Sequence, residues 1–155
     1  MSGWLTIIAL CGPIGSGKTT LAHRLHDRLR DARVISTDLL GRGAYAKMLG
    51  IVASQRGPER YLILDATFYR QVWRDRLAEA ARERVVTVFL RCSLETSLRR
   101  NRERTVSLPD SAVYSIYRGF EAPSDADVVL DADRATPEQA EGVVIRYINE
   151  IGDSP

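Results

Sequence analysis

Cysteine is scarce in this chain, and no long apolar run occurs. Only Cys11 and Cys92 are cysteines, and they are too few and too far apart for a disulfide framework or a zinc site. The most apolar stretch, 4–11, has the length of a strand, whereas a helix that spans a bilayer needs about 20 residues. The N-terminus shows no secretory signal. We therefore expect a cytoplasmic protein with two free, buried thiols.

Charge of one sign is not in excess either. The chain has 22 basic and 20 acidic residues, for a net charge of +2, which predicts no general affinity for nucleic acid. Lysine is rare, because all basic residues except Lys18 and Lys47 are arginine. With 45% apolar and 27% charged residues in 155, the composition is typical of one soluble globular domain. We expect a single domain over residues 1–155.

Strand-like and helix-like segments alternate along the chain. Apolar, β-branched runs predict five strands, and apolar residues at helical spacing predict five helices. This alternation indicates βαβ units, and therefore a parallel sheet of about five strands with helices on both faces. The predicted strands cover 5–11, 33–36, 61–65, 85–90 and 127–130, and the predicted helices cover 19–30, 44–55, 71–84, 93–104 and 137–151.

A glycine-rich segment with a lysine stands between the first strand and the first helix. Its sequence, Gly12-Pro13-Ile14-Gly15-Ser16-Gly17-Lys18-Thr19, fits the phosphate-loop pattern at every fixed position and has the required flanks. Such a loop points backbone N–H groups at nucleotide phosphates, the lysine reaches the β- and γ-phosphates, and the hydroxyl of the last residue binds Mg²⁺. The segment predicts a P-loop α/β fold that binds ATP with Mg²⁺. We expect the nucleotide to contact Gly12, Ile14, Gly15, Ser16, Gly17, Lys18, Thr19 and Thr20.

Two further carboxylates follow predicted strands. Asp38 lies just after the second strand and Asp65 closes the third, and ligands of parallel sheets collect at the carboxyl ends of strands. Asp38 is suited to hold or deprotonate an attacking hydroxyl, and Asp65 is suited to support Mg²⁺ beside Thr19. The alternative is that each aspartate is only a helix N-cap.

Arginines cluster in the predicted helix 93–104 and are followed by an irregular segment. They are Arg99, Arg100, Arg102 and Arg104. Arginines of this kind stabilise the negative charge that develops during phosphoryl transfer. We predict a short arginine-rich lid over about 99–118. The alternative is a solvated helix face whose arginines pair with Glu95 and Glu103.

Together these segments resemble the small P-loop kinases, which include polynucleotide 5′-hydroxyl kinases, zeta-toxin-like enzymes and adenylylsulfate kinases. The resemblance rests on the phosphate loop, on Ser-Thr-Asp at 36–38, on Leu-Asp-Ala-Thr at 64–67, and on the run 99–104. The tail, with Phe-Glu-Ala-Pro at 120–123, is similar to that of adenylylsulfate kinases. The segment 65–70 is more similar to the polynucleotide kinases. The net charge of +2 argues against a nucleic-acid substrate, which favours a marked basic excess.

The resemblance implies roles for individual residues. In those kinases the acid after the second strand contacts the acceptor hydroxyl, here Asp38, and an arginine after it contacts an anion of the acceptor, here Arg42. Arg42 lies four residues after Asp38 rather than the usual three, but both offsets share a helix face. Lid arginines that contact ATP phosphates would be Arg100 and Arg104. The predicted catalytic residues are Lys18, Asp38, Arg100 and Arg104, and the predicted acceptor-binding residues are Asp38, Arg42, Thr67, Arg70 and Arg74.

These features predict an ATP-dependent kinase that transfers the γ-phosphoryl group to a hydroxyl of a small nucleotide-like or other anionic acceptor, as adenylylsulfate kinases do. The first alternative is a polynucleotide 5′-hydroxyl kinase that acts on a nucleic-acid end. The second alternative, from another class, is a nucleotide-binding module with slow ATP hydrolysis. The aromatic residues Tyr45, Phe68, Tyr69 and Trp73 could stack on an acceptor ring or belong to the core.

Overall fold

The computed structural model describes residues 4–54 and 57–152. Five strands alternate with six helices in these ranges, and a short 3-10 turn, Thr37–Leu39, follows the second strand. The elements are β1 Thr6–Cys11, α1 Lys18–Arg28, β2 Ala32–Ser36, α2 Ala44–Ser54, β3 Tyr61–Asp65, α3 Gln71–Ala80, β4 Arg84–Arg91, α4 Leu94–Arg102, α5 Asp110–Arg118, β5 Val128–Asp131 and α6 Pro137–Gly152.

All five strands form one parallel sheet in the order β2-β3-β1-β4-β5. This confirms the predicted α/β fold with a parallel sheet. The register pairs Asp65 at the end of β3 with Leu10 of β1 on one side and with Ser36 of β2 on the other. The residues that follow β1, β2 and β3 therefore emerge side by side at one edge of the sheet.

Helices cover the sheet on both faces, as predicted. On one face α1 and α6 contribute the fully buried Leu25 and Val144. On the other face α2 and α3 contribute Met48 and Leu77, together with Phe68 from the loop after β3. Parallel sheets need this double cover because their strands are apolar on both sides. None of the helices in the described ranges has the length and apolar character needed to cross a membrane.

The structure differs from the sequence-based expectation at two helices. The segment 105–110 was predicted to be irregular, and 105–109 contains no helix or strand, but it is followed by α5, which was not predicted. This helix begins after Pro109, carries Asp110 in its first turn and buries Val113. An acidic residue at that position interacts favourably with the helix dipole. The helix predicted over 71–84 ends at Ala80, because residues 81–83 connect it to β4, which already begins at Arg84. Residue 55, the last of the predicted second helix, lies outside the described residues.

Both cysteine thiols are free and buried, as predicted. Burial raises the pKa of Cys11 and of Cys92 from 9.0 to about 11. A shift of two pKa units lowers the thiolate fraction near neutral pH about 100-fold. We expect a colorimetric disulfide reagent at pH 7.5 to modify the native protein at least ~100-fold more slowly than the urea-unfolded chain. Equal rates in the two states would contradict the burial, and a Cys11→Ser variant assigns the remaining signal to Cys92.

Candidate active site

The loop between β1 and α1 is packed tightly against the end of β4 and against α4. A Cβ atom on Gly12 would lie 2.6 Å from the carbonyl oxygen of Leu90 and 2.7 Å from Ser16 Oγ. Gly15 and Gly17 have φ angles of 81° and 94°, a left-handed conformation that side chains disfavour. These three positions therefore require glycine, and they set the curvature of the phosphate loop.

Lys18 places its ammonium group inside this loop. Its Nζ donates hydrogen bonds to the carbonyl oxygens of Gly12 and Pro13, at 2.7 and 3.0 Å. Burial lowers the pKa of Lys18 to about 8, and the negative charge of Asp65 opposes this shift. The loop thus presents a cation at the start of α1, where the helix dipole also favours an anion.

Thr19 and Asp65 meet directly beside Lys18. The hydroxyl of Thr19 donates to Asp65 Oδ2 at 2.7 Å, and the Asp65 carboxylate is buried. Hydroxyl and carboxylate oxygens are the hard donors that Mg²⁺ prefers. The pair fits a magnesium ion, and Asp65 does not act as a helix cap here.

Asp38 and Arg42 both follow β2, but they do not share a helix face as expected, because Thr37–Leu39 is only a short 3-10 turn and Gly41 has a positive φ of 70°. Asp38 is exposed in the 3-10 turn, whose N-cap is Ser36, so Asp38 is not a cap either. Asp38 is close enough for its charge to act on the Lys18 ammonium. Arg42 is also exposed, and within 4–54 and 57–152 neither side chain forms an ion pair.

Three other predicted acceptor residues follow β3 and have different surroundings. Thr67 Oγ1 is 2.8 Å from the hydroxyl of Tyr45. Arg70 is half exposed and pairs loosely with Glu121, at 3.5 Å. Arg74 donates to the carbonyl of Phe68 at 2.6 Å, so its guanidinium supports the loop after β3, unlike that of Arg42.

The aromatic residues on this side pack mainly on one another. Tyr45 and Trp73 stack with ring centroids 4.7 Å apart, and Arg76 lies over Trp73 at 5.0 Å. Phe68 is buried and meets Tyr45 edge-on. The aromatic cluster therefore packs between α2 and α3. Of the two interpretations offered by the sequence, this arrangement favours a place in the core over stacking on an acceptor ring.

The lid arginines have separate environments. Arg100 donates to the carbonyl oxygens of Gly15 and Ala132, at 3.0 and 2.8 Å, and so joins the phosphate loop to the end of β5. Arg104 is exposed. Arg102 pairs with Asp110 of α5 at 2.6 Å, and not with the glutamates that a solvated helix face would use.

A pocket opens between the phosphate loop and the start of α6. Its volume is about 260 Å³, close to the range of small-ligand pockets. It adjoins the loop through Ser16, Gly17 and Thr20, with Arg100 and Pro137 also in its wall. The pocket is suited to hold the part of a nucleotide that lies beyond its phosphates.

Three residues that hold the site together were not predicted. Ser97 donates through Oγ to the carbonyl of Ile14 in the phosphate loop. Asn101, one turn later on α4, has no exposed surface. Glu121 accepts the backbone N–H of Gln71 at the start of α3. The sequence does contain a signal for Ser97 and Asn101. They are polar residues four positions apart on the inner face of a helix, and buried polar groups form hydrogen bonds.

A parallel α/β sheet with a phosphate loop after its central strand defines a P-loop nucleotide-binding protein. A family model described as an AAA domain matches residues 7–51. A probable adenylyl-sulfate kinase of Pyrococcus abyssi is 26% identical over 98% of this chain and 97% of its own length. The L-seryl-tRNA(Sec) kinase of Mus musculus is 39% identical over 67 residues, which are 41% of this chain and only 19% of the mouse protein.

The fold is also that of a solved kinase. A gluconokinase from Sinorhizobium meliloti superposes with a TM-score of 0.79 at 16% identity, covering 97% of this chain and 95% of the gluconokinase. These matches confirm the resemblance to the small P-loop kinases. They support a phosphotransferase with a hydroxyl group as acceptor.

Gly12→Ala tests the packing of the phosphate loop. The added methyl group meets backbone and side-chain oxygens, so we expect a lower melting temperature and an ATP affinity reduced at least ~10-fold. Gly142→Ala is the matched control, since a Cβ there has nothing within 4 Å and alanine favours a helix by about 0.5–1 kcal/mol. Thermal unfolding and calorimetric titration measure both effects. Unchanged ATP binding by Gly12→Ala would contradict this description.

Proposed function

We propose that the protein is an ATP- and Mg²⁺-dependent kinase that phosphorylates a hydroxyl group of a small nucleotide-like, anionic acceptor, as an adenylylsulfate kinase does. The acceptor oxygen forms a bond to the γ-phosphorus, the bond to the bridging oxygen breaks and ADP leaves. The hydroxyl proton passes to the Asp38 carboxylate.

One observation carries this proposal. The parallel register sets the end of β3 between β1 and β2, so the Thr19–Asp65 pair lies next to the strand end that leads to Asp38. Phosphoryl transfer depends on such positioning of charge and nucleophile more than on covalent chemistry. A module that only hydrolyses ATP has no need for the exposed carboxylate of Asp38 near Lys18 or for the exposed guanidinium of Arg42 that follows it.

The charged residues divide into two groups under this proposal. Lys18 binds the β- and γ-phosphates, and Thr19 with Asp65 would hold Mg²⁺, which neutralises phosphate charge when bound. Arg100 borders both the phosphate loop and the pocket about 260 Å³ in volume, where we place the adenosine.

The acceptor side has a different balance of charge. Arg42 supplies an exposed guanidinium for an acceptor anion, and Arg70 supplies a second one after exchange from its loose contact with Glu121. Thr67 offers a hydroxyl at the same edge. Arg74 contributes by holding the carbonyl of Phe68, which keeps the loop after β3 in place.

A hydroxyl carried by a nucleic acid is the second candidate acceptor. The local 39% identity to the seryl-tRNA kinase favours it, and so does the open acceptor side, where Leu39 is 87% exposed beside Asp38. The probable adenylyl-sulfate kinase supports the small acceptor and matches nearly the whole chain, so we rank the small acceptor first.

We place the reaction in the cytoplasm, where ATP is supplied.

The acceptor is found by transfer of labelled γ-phosphate from ATP to a panel. The panel contains adenylylsulfate, nucleosides, gluconate, seryl-tRNA and short 5′-hydroxyl DNA and RNA, with free phosphate counted in parallel. We expect Mg²⁺-dependent labelling of adenylylsulfate or another small anionic acceptor. Labelling of a nucleic acid alone would establish the second candidate, and free phosphate alone would favour the slow hydrolase.

Asp38→Asn tests the role of the exposed aspartate. The amide cannot take up the hydroxyl proton, so we expect transfer to fall about 10²–10⁴-fold with ATP affinity retained. Asp27→Asn on α1 is the control, because its side chain is 82% exposed and lies outside the site. Transfer by Asp38→Asn at the rate of the control would remove Asp38 from the mechanism.

A further inference from the structure

A fully buried asparagine ties the lid segment to α4. Asn101 has 0% of its surface exposed. Its Nδ2 donates to the carbonyl oxygen of Leu108 at 2.8 Å, and its Oδ1 accepts the backbone N–H of Leu108 at 3.1 Å. Both polar atoms of the amide are therefore hydrogen-bonded to the backbone of a single residue, Leu108, seven positions further along the chain.

This double hydrogen bond closes the segment 103–107 into a loop whose two ends are fixed. At its start the backbone N–H of Arg104 donates to the carbonyl of Asn101 at 3.1 Å. Just beyond its end, Asp110 pairs with Arg102. The five residues of the loop are exposed, so packing of their side chains does not fix the loop conformation. The buried amide of Asn101 fixes it instead.

The helix that carries Asn101 is itself bonded to the phosphate loop. One turn earlier on α4, Ser97 donates to the carbonyl of Ile14, and Arg100, directly before Asn101, donates to the carbonyl of Gly15. One side of α4 thus contacts the phosphate loop through Ser97 and Arg100 and the lid segment through Asn101. Helix α4 therefore links the phosphate loop to the segment that carries Arg104.

We propose that Asn101 is a positioning residue that fixes the segment 103–107, and with it Arg104, relative to the phosphate loop for transfer. This inference rests on the proposed function. The amide is specific, because only a side chain with a donor and an acceptor satisfies both backbone groups of Leu108. The variant Asn101→Ser keeps a neutral hydroxyl that is too short to satisfy both groups at once, and Asn101→Ala keeps neither hydrogen bond.

A double-mutant cycle tests whether Asn101 acts through Arg104. We expect Asn101→Ala to lower kcat about 10–100-fold, as displacement of a catalytic group by about 1 Å does, with KM for ATP changed less than about 3-fold. Asn101→Ser should lie between Asn101→Ala and the wild type. The double variant with Arg104→Ala should lose no more than the larger single loss, because the two residues act on one step.

Two results of the cycle would overturn the inference. One is a double variant whose losses simply multiply. The other is an Asn101→Ala protein with the kcat of Glu103→Gln, a control that alters an exposed residue of the same loop. If the alanine variant does not fold, the cycle is run with Asn101→Ser, whose neutral hydroxyl can keep one of the two hydrogen bonds.

A second readout does not need the acceptor. Trypsin cleaves after Arg104, and mass spectrometry follows that cut. We expect Asn101→Ala to speed cleavage at Arg104 at least ~10-fold, with cleavage rates elsewhere unchanged, because only the loop is released. An unchanged rate of cleavage after Arg104 would show that the loop keeps its conformation without the amide of Asn101.

Failure of the proposed function has a different signature. It appears in the wild-type protein, which would then bind ATP and label no acceptor. The cycle is in that case measured on release of free phosphate from ATP, and multiplying losses still overturn the role of Asn101.

Discussion

The closeness of the phosphate loop to its neighbours constrains the rest of the site. No Cβ fits at Gly12 between the end of β4 and Ser16, and one at Gly15 would lie 3.0 Å from the carbonyl of Ser97 on α4. The end of β4 and the helix α4 are therefore both in direct contact with the phosphate loop. Since β4 also pairs with β1, the loop curvature and the strand register are set together.

Within that frame the buried charge of Lys18 is tolerated because it is solvated by the protein. The carbonyl groups of the loop replace water around the ammonium, and the Asp65 carboxylate nearby favours its charged form. An unpaired buried ammonium would be far more costly. The same carboxylate holds the Thr19 hydroxyl, so one acid serves both the cation of the loop and the position suited to Mg²⁺.

The sequence identified what depends on local pattern and missed what depends on tertiary contact. Alternating apolar segments gave the parallel sheet, with β3 predicted to the residue, and the loop pattern identified a P-loop fold that the comparisons support. The helix α5 was missed although Val113, Ile116 and Tyr117 have helical spacing, because the residues after the arginine-rich helix were interpreted as part of a lid. The sequence also does not identify the partners of Arg74 and Asn101, because these carbonyls lie six and seven residues away along the chain and outside any repeating spacing. The contacts with Phe68 and Leu108 could therefore be found only in three dimensions.

The stacked pair of Tyr45 and Trp73 gives the molecule an internal optical reporter. The chain has two tryptophans, and Trp4 is 92% exposed, so its indole emits as it would in water. Trp73 is partly buried against the core and stacks on the Tyr45 ring, so its indole has less contact with water and emits at shorter wavelength. The shape of the intrinsic fluorescence spectrum therefore reports the contact of α2 with α3, next to the acceptor side, with Trp4 as a constant reference.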